Sequence, residues 1–351
     1  RDAMRELPEE TFESKEQGLE ACGTYACERI LNWIREDLKR FGVEFDNYFS
    51  QRQLEESSAI GEMMDRFGKK DLLYEKDGAK WLKTSEFGDR DDRVVVKSDG
   101  TYTYRTPDFA YHVDKFRRGF DSLVVLLGPD HHAHTLTMHS ALRALELPAD
   151  ELNYILVQHC TLYKGSEPLK MSTRKGTFVT LGEIMDSVGR DAARLFFLYR
   201  SVDSHLDFDL ELAVKEAPDN PVFYLQYASA RCASILRRAK DQELLSADEL
   251  QDGLFDFASL ELDFEQEELE LLRYLGRFPI AVERASQSLD QMKLINYLNE
   301  IVERFHNYYH RKKVIVDDRE AARSRLAVVS SFRQVLVNGL KLLGISAPTS
   351  M

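Results

Sequence analysis

The densest concentration of chemistry in the sequence is Lys170-Met171-Ser172-Thr173-Arg174-Lys175-Gly176. Cations, hydroxyls and a glycine in one loop can clamp a phosphate. The side chains supply charge and O–H donors, and the glycine opens backbone N–H groups to the ligand. A solvated charged loop has the same composition, and on the residues alone the two readings stand level. Tyr104 and Asp108 lie four residues apart. Taken alone they read as a core tyrosine and a helix N-cap, because Asp108 precedes an amphipathic run. His131, His132, His134 and His139 invite a zinc reading, but zinc needs three or four ligands with support behind them. His134 and His139 read as polar residues at the start of a helix. Tyr227 and Arg231 are one helical turn apart and share a face. Tyr308-Tyr309-His310-Arg311-Lys312-Lys313 is an aromatic and basic run of the kind that suits unpaired bases. For Arg311 to Lys313 alone, a solvated face is the default.

These residues need a scaffold, and the hydrophobic pattern supplies one. Ser122 to Leu127 is a short apolar run stopped by Gly128-Pro129, and Tyr154 to Gln158 is a second. A helical pattern lies between them, from about 132 to 145. Strand, helix, strand of these lengths makes a βαβ unit with a parallel pair. The histidine cluster then falls at the C-terminal end of a strand, where α/β folds bind ligands. Upstream, helices are expected over Gln17–Leu38, stopped by Gly42, and over Gln51–Phe67. A hairpin is expected from Arg93–Lys97 and Thr101–Tyr104 about Asp99-Gly100. The charged loop leads into a helix from about 181 to 199. Beyond Pro221 no strong strand signal remains, and helices are expected near 222–240, 268–285, 289–309 and 319–343. The boundary between the two parts is placed near Ala217-Pro218, giving 1–217 and 218–351.

At 351 residues the chain is long enough for about two domains. Its 43% hydrophobic and 30% charged content marks a folded chain, not a disordered one. No apolar run reaches the ~18 residues of a membrane span. Cys22, Cys27, Cys160 and Cys232 are too few and scattered for a disulfide scaffold. A net charge of −13 argues against wholesale wrapping of nucleic acid but leaves room for a local basic face. Residues 241–270 are acidic and hold no Lys or Arg, whereas basic residues outnumber acids after 271. The chain opens on Arg1 with no signal peptide, which reads as a piece of a longer chain.

The loop 170–176 resembles the KMSK signature of class I aminoacyl-tRNA synthetases. Its flanks are similar to arginyl-tRNA synthetases in particular: Gly189 to Arg194, Phe196-Phe197, Arg200 to Asp209, Asn220 to Arg231 and Leu343 to Met351. The resemblance runs from about residue 25 to 351. It implies the second half of a Rossmann-type catalytic domain followed by an all-helical bundle that binds the anticodon.

The activity implied is ATP-dependent attachment of arginine to its tRNA through arginyl-adenylate, in the cytoplasm. ATP with Mg2+, arginine and tRNA are the implied partners, with no structural metal, membrane or DNA. The resemblance assigns Lys170, Met171 and Ser172 to ATP. Thr173 replaces the second lysine of the signature, so Arg174 or Lys175 must supply the cation facing pyrophosphate. Tyr104 and Asp108 are assigned to the arginine side chain, a carboxylate and an aromatic face being suited to guanidinium. His131 is assigned to substrate contact. Tyr227, Arg231, Tyr309 and Met351 are assigned to the anticodon loop and are expected on one surface facing away from 241–270. The HIGH signature is missing: no His-x-Gly-His occurs in the sequence. The chain by itself is therefore expected not to form the adenylate. The alternative reading is a stand-alone tRNA-binding module.

Overall fold

The computed structural model describes residues 6–351 apart from 166, 170–178, 202–203, 245–249, 252–253 and 256–261. Helices α1 (Lys15–Phe41), α2 (Gln51–Glu56) and α3 (Ala59–Lys69) precede strands β1 (Leu73–Lys76), β2 (Ala79–Leu82) and β3 (Arg93–Val96). Helix α4 (Arg105–Arg117), β4 (Leu123–Leu127), α5 (His132–Ala144) and β5 (Leu152–Leu156) follow. Next come β6 (Cys160–Lys164), β7 (Glu167–Pro168), α6 (Leu181–Val188), α7 (Arg190–Leu198) and β8 (Leu206–Asp209). Helix α8 (Pro221–Asp241) leads to the short strands β9 (Leu250–Gln251) and β10 (Leu254–Phe255). Four helices complete the chain: α9 (Gln266–Leu275), α10 (Phe278–Ser288), α11 (Met292–Arg311) and α12 (Arg319–Leu342). Two compact units result, one of residues 45–160 with 202–206, the other of 1–44, 161–201 and 207–351.

In the first unit the expected βαβ element is present. Strands β4 and β5 pair in parallel from Leu123↔Leu152 to Leu127↔Leu156, with α5 as the crossover. The core gathers Met63 and Phe67 of α3, Phe109 of α4, Leu82, Val95, and Met138 and Leu142 of α5. The expected hairpin partner of β3 is different. Thr101–Tyr104 makes a single bridge, Val96↔Tyr102, before α4 begins. Thr103 and Thr106 hydroxyls donate to the carbonyls of Val94 and Val95, at 2.9 and 2.7 Å, which turns the chain into the helix. The partner of β3 is β2, which forms an antiparallel hairpin with β1 across Asp77-Gly78. Both turn residues have positive φ, 54° and 74°, as a two-residue hairpin turn requires. The expected helix 51–67 divides at Ser57-Ser58, where the Ser57 hydroxyl donates to Leu54 O and accepts from Ala59 N, diverting the backbone.

In the second unit α1 is capped by Ser14 and ends at Gly42 with φ 80°, close to the expected limits. Expected helix 181–199 breaks at Gly189, φ 80°. Thr180 and Glu183 form a capping box at the start of α6. Expected helix 268–285 also divides, because α10 opens with a proline in its first turn. The apolar faces of α8, α11 and α12 meet, with Phe305 and Phe332 stacked at 4.1 Å and 8°. Where α11 and α12 approach, a Cβ on Gly339 would come within 2.4 Å of a Leu298 methyl, so the glycine permits the contact.

Candidate functional site

Two constellations emerge, one in each unit. In the first, α4 opens at Arg105 with Tyr104 at its N-cap and no side-chain cap bond. Asp108 lies inside the first turn, so it is not the cap. Its Oδ2 is 3.3 Å from Nε2 of His134 on α5. Tyr104 is no core residue either: it is 65% exposed. Its ring stacks on His134 at 6.4 Å and 26°, and the Arg105 guanidinium lies 4.6 Å from its centroid. The exposed His131 ring meets His134 edge-on at 6.5 Å. Tyr104, Asp108 and His131 are thus brought into one cluster, and His134 links them. Sequence reasoning missed His134, although its place one helical turn beyond His131 signalled a shared face. His139 does something else. Its ring nitrogens lie 2.8 and 2.9 Å from the carbonyl oxygens of Thr135 and Leu152, fastening α5 to β5.

The floor of this cluster is uncharged at neutral pH. His112 Nδ1 is 2.9 Å from Asp108 O, and its Nε2 is 3.4 Å from the Tyr154 hydroxyl. Burial, with Lys115 acting the same way, pushes His112 down to about 4. Burial, then the nearby Asp108 carboxylate, raises Tyr154 well above the usual phenol range. To one side, buried Asp89 accepts two bonds from Arg93 at 2.7 and 2.8 Å and one from Thr137 at 2.7 Å, tying β3 to α5. Hydrogen bonds to Arg93 and Thr137 hold its carboxyl below the usual range despite burial. Among the described residues no group of three or more His, Cys, Asp or Glu could hold a metal ion.

The loop residues Lys170, Met171, Ser172, Arg174 and Lys175 lie outside the described residues. The described chain beyond them enters α6 through the capping box.

In the second unit a groove of about 310 Å³ is lined by Tyr227, Arg231, Arg237, Arg238, Tyr309 and Met351, among others. All four residues expected on one surface line it together. Tyr227 and Arg231 come from α8, Tyr309 from α11 and Met351 from the segment after α12. The Arg231 guanidinium sits 4.6 Å from the Tyr227 ring and 5.0 Å from the Tyr309 ring. Phe223 stacks behind Tyr227 at 5.6 Å, and Phe305 behind Tyr309 at 6.1 Å. The wall therefore offers aromatic faces and guanidinium groups, and among the described residues no Asp or Glu side chain lines it. Arg237 and Arg238, missed at first, continue the α8 stripe of 227, 231 and 234 at helical spacing. A second groove adjoins through Arg238 and Tyr309 and adds Lys312 and Lys313.

The run 308–313 is divided by its helix. Tyr308 turns into the core, 1% exposed, and donates to buried Glu268 at 3.0 Å, while Tyr309 faces the groove. The expectation that 241–270 faces away from this surface does not hold for its described end. Lys312 pairs with Glu265 at 2.6 Å, Arg311 pairs with Glu267, and Arg325 reaches Glu265 at 3.0 Å. Acid and base meet here because α9 packs against α12 and α11.

Comparison with known proteins places this geometry. Residues 9–198 match the family described as tRNA synthetases class I (R), catalytic domain, and residues 225–351 match the DALR anticodon binding domain. The combination is that of a class I aminoacyl-tRNA synthetase catalytic domain joined to a helical anticodon-binding domain. The chain is 43% identical over 350 residues to the arginine–tRNA ligase of Syntrophotalea carbinolica, covering 100% of this chain and 61% of that protein. It is 45% identical over 331 residues to that of Halorhodospira halophila, covering 93% and 55%. A solved structure from Campylobacter jejuni, described as an arginyl-tRNA synthetase, superposes with a TM-score of 0.85 at 29% identity, covering 100% of this chain and 74% of that one. The chain belongs to the arginyl-tRNA synthetase family. It spans a little over half the length of these curated relatives.

Proposed function

We propose that the chain is the arginine-recognising and anticodon-recognising portion of an arginine–tRNA ligase. ATP and arginine give arginyl-adenylate and pyrophosphate, and the arginyl group then passes to the terminal adenosine ribose of tRNA. The observation that carries this reading is the groove in which Tyr227, Arg231, Tyr309 and Met351 meet. Aromatic faces beside guanidinium groups suit unpaired, splayed bases, and arginines with no acidic side chain among the described lining residues suit a polyanion.

Within this reading Asp108 pairs with the substrate guanidinium, Tyr104 offers its ring face, and His131 borders the substrate. The Arg105 guanidinium, 4.6 Å from the Tyr104 centroid, shows only that this ring can sit beside a guanidinium. Lys170, Met171 and Ser172 hold ATP, with Lys170 and Ser172 positioning its phosphates. Arg174 or Lys175 faces the departing pyrophosphate. Catalysis at such a centre is mostly positioning and charge stabilisation. Mg2+ enters with ATP; the described residues contain no ligand set for it, and no step here is assigned to it. The catalytic part covers 1–217 and the anticodon-binding part 218–351, in a cytoplasmic enzyme.

The deciding measurement is titration of the chain with arginine tRNA and with an anticodon-swapped version. Tighter binding of the first supports the proposal. Equal binding removes the anticodon role from the groove.

A further inference from the structure

We propose that Asp191 is a positioning residue for the groove, holding the segment 344–351 so that Ser350 and Met351 are presented to a bound RNA loop. The inference rests on reading the groove as an anticodon site. Asp191 lies in the first turn of α7, away from the groove lining. One of its oxygens, Oδ2, gathers two other elements. It accepts from the Ser346 backbone N–H at 3.1 Å and from the Ser346 hydroxyl. It also accepts from Gln226 Nε2 at 2.9 Å, and that same nitrogen is 3.1 Å from Ser346 O. Gln226 is the residue next to Tyr227, so one carboxylate oxygen sets α8 and the segment against each other.

From that point the segment runs along α8 and is fastened repeatedly. The Ser229 hydroxyl donates to Pro348 O at 3.2 Å, and Arg237 donates to Thr349 O at 3.2 Å. Upstream, Arg190 donates to Gly344 O and Arg194 to Leu343 O, both at 3.2 Å. Ile345 is buried at 4% exposure, whereas Met351 is 61% exposed at the mouth of the groove. The segment has no helix or strand of its own to fix it. Its placement comes from these bonds. Asp191 and Gln226 each contact both the backbone and the side chain of Ser346, and Asp191 is the one that also holds Gln226 in place.

The acid at the start of α7 also complements the helix dipole, so the test must separate positioning from helix support. The probe is a hairpin RNA carrying an arginine anticodon loop, with affinity for the whole chain read by fluorescence anisotropy. Asp191→Ala and Met351→Ala are each expected to weaken binding about tenfold, the scale of one lost base contact. The double variant is expected to lose about tenfold as well, not a hundredfold, because both changes remove the same contact. Asp191→Asn, which still accepts from Ser346 and Gln226, is expected to recover most of the affinity. An additive double variant, or wild-type affinity for Asp191→Ala, overturns the inference. If Asp191→Ala lowers the melting temperature, Ser346→Ala replaces it. That change is expected to give a smaller loss, again not additive with Met351→Ala, and additivity there overturns the inference too. Tyr309→Ala keeps the two levels distinct. If it leaves RNA binding unchanged, the groove reading falls and the inference with it. If it weakens binding while Asp191→Ala does not, the inference alone falls.

Discussion

Asp108 faces a histidine while staying in part open to water, and this decides what its substitution reports. As a helix cap it would tolerate asparagine nearly as well. As the partner of a guanidinium it would not. Its side chain is about half exposed, which reduces the loss below that of a fully buried pair. The expected cost of Asp108→Asn is about 1–3 kcal/mol of arginine affinity, the range for a hydrogen bond to a charged group. Calorimetric titration of arginine into an intact ligase containing this chain measures it, and unchanged affinity would return Asp108 to a structural role. His112, beneath it, gives a pH signature. Its pKa falls from 6.5 to about 4 on folding, burial being the main cause and Lys115 and His134 adding to it. The unfolded chain therefore binds a proton that the folded chain refuses. Stability is full above about pH 6.5 and declines as pH falls toward 4, by at most about 3 kcal/mol. Urea unfolding of the chain and of His112→Gln across this range should show a shallower decline in the variant. Parallel curves would mean that His112 is not the group responsible. These residues were only partly legible in the sequence. Tyr104, Asp108 and His131 could be named, but the closure through His134 depends on how α4 and α5 approach.

At the level of elements, two close approaches make different demands. Gly339 lies where α12 meets α11, with Leu298 filling the space that a Cβ would need. Gly339→Ala is expected to destabilise the helical unit by about 1–3 kcal/mol through overpacking, in spite of alanine's better helix propensity. Thermal unfolding would read this directly, and a stabilised variant would mean that Leu298 yields at no cost. The other approach is that of α9 toward α11. Lys312, in a run whose default reading is a solvated face, pairs with Glu265. Arg238 lines both grooves. Arg238→Ala should therefore reduce the slope of log affinity against log salt by about one unit, and Lys312→Ala by less. Equal changes would place both cations on phosphate. Long helices and the βαβ unit were readable because apolar spacing sets them. Breaks at Ser57-Ser58, Gly189 and Pro279 were missed, each a local backbone effect inside an otherwise continuous pattern. The hairpin about Asp99-Gly100 is present but short, held by the Val96↔Tyr102 bridge and by Lys97 N–H to Thr101 O and Thr103 N–H to Val95 O. The longer one at Asp77-Gly78 carries the same turn signal, and only tertiary pairing decides their lengths.

For the whole molecule, a net charge of −13 coexists with a groove lined by arginines and, among the described residues, by no acidic side chain. Local distribution, not total charge, is what admits a polyanion. The division into an α/β part and a helical part was visible in the change of pattern near Pro221. Less visible was that α1 and 161–201 group with the helical part, because hydrophobic periodicity says which face is buried but not against what. The sequence has no His-x-Gly-His, and the expected result is that the purified 351-residue chain gives no arginine-dependent ATP–pyrophosphate exchange with tRNA present. Robust exchange would show that the chain is catalytically sufficient.

Arg190 and Arg194 also impose an order of events during synthesis. Arg194 donates to the carbonyls of Phe41 and Gly42 where α1 ends, and the two arginines together reach Leu343 and Gly344 where α12 ends. Cations at helix C-termini are favourable, but this pair of ends lies some three hundred residues apart along the chain. The hydrophobic core of the first unit runs from Leu54 to Leu152 and includes no described residue beyond 160, with 202–206 joining that unit later. As the polypeptide leaves the ribosome, that inserted unit can close while α1 still waits for its partners.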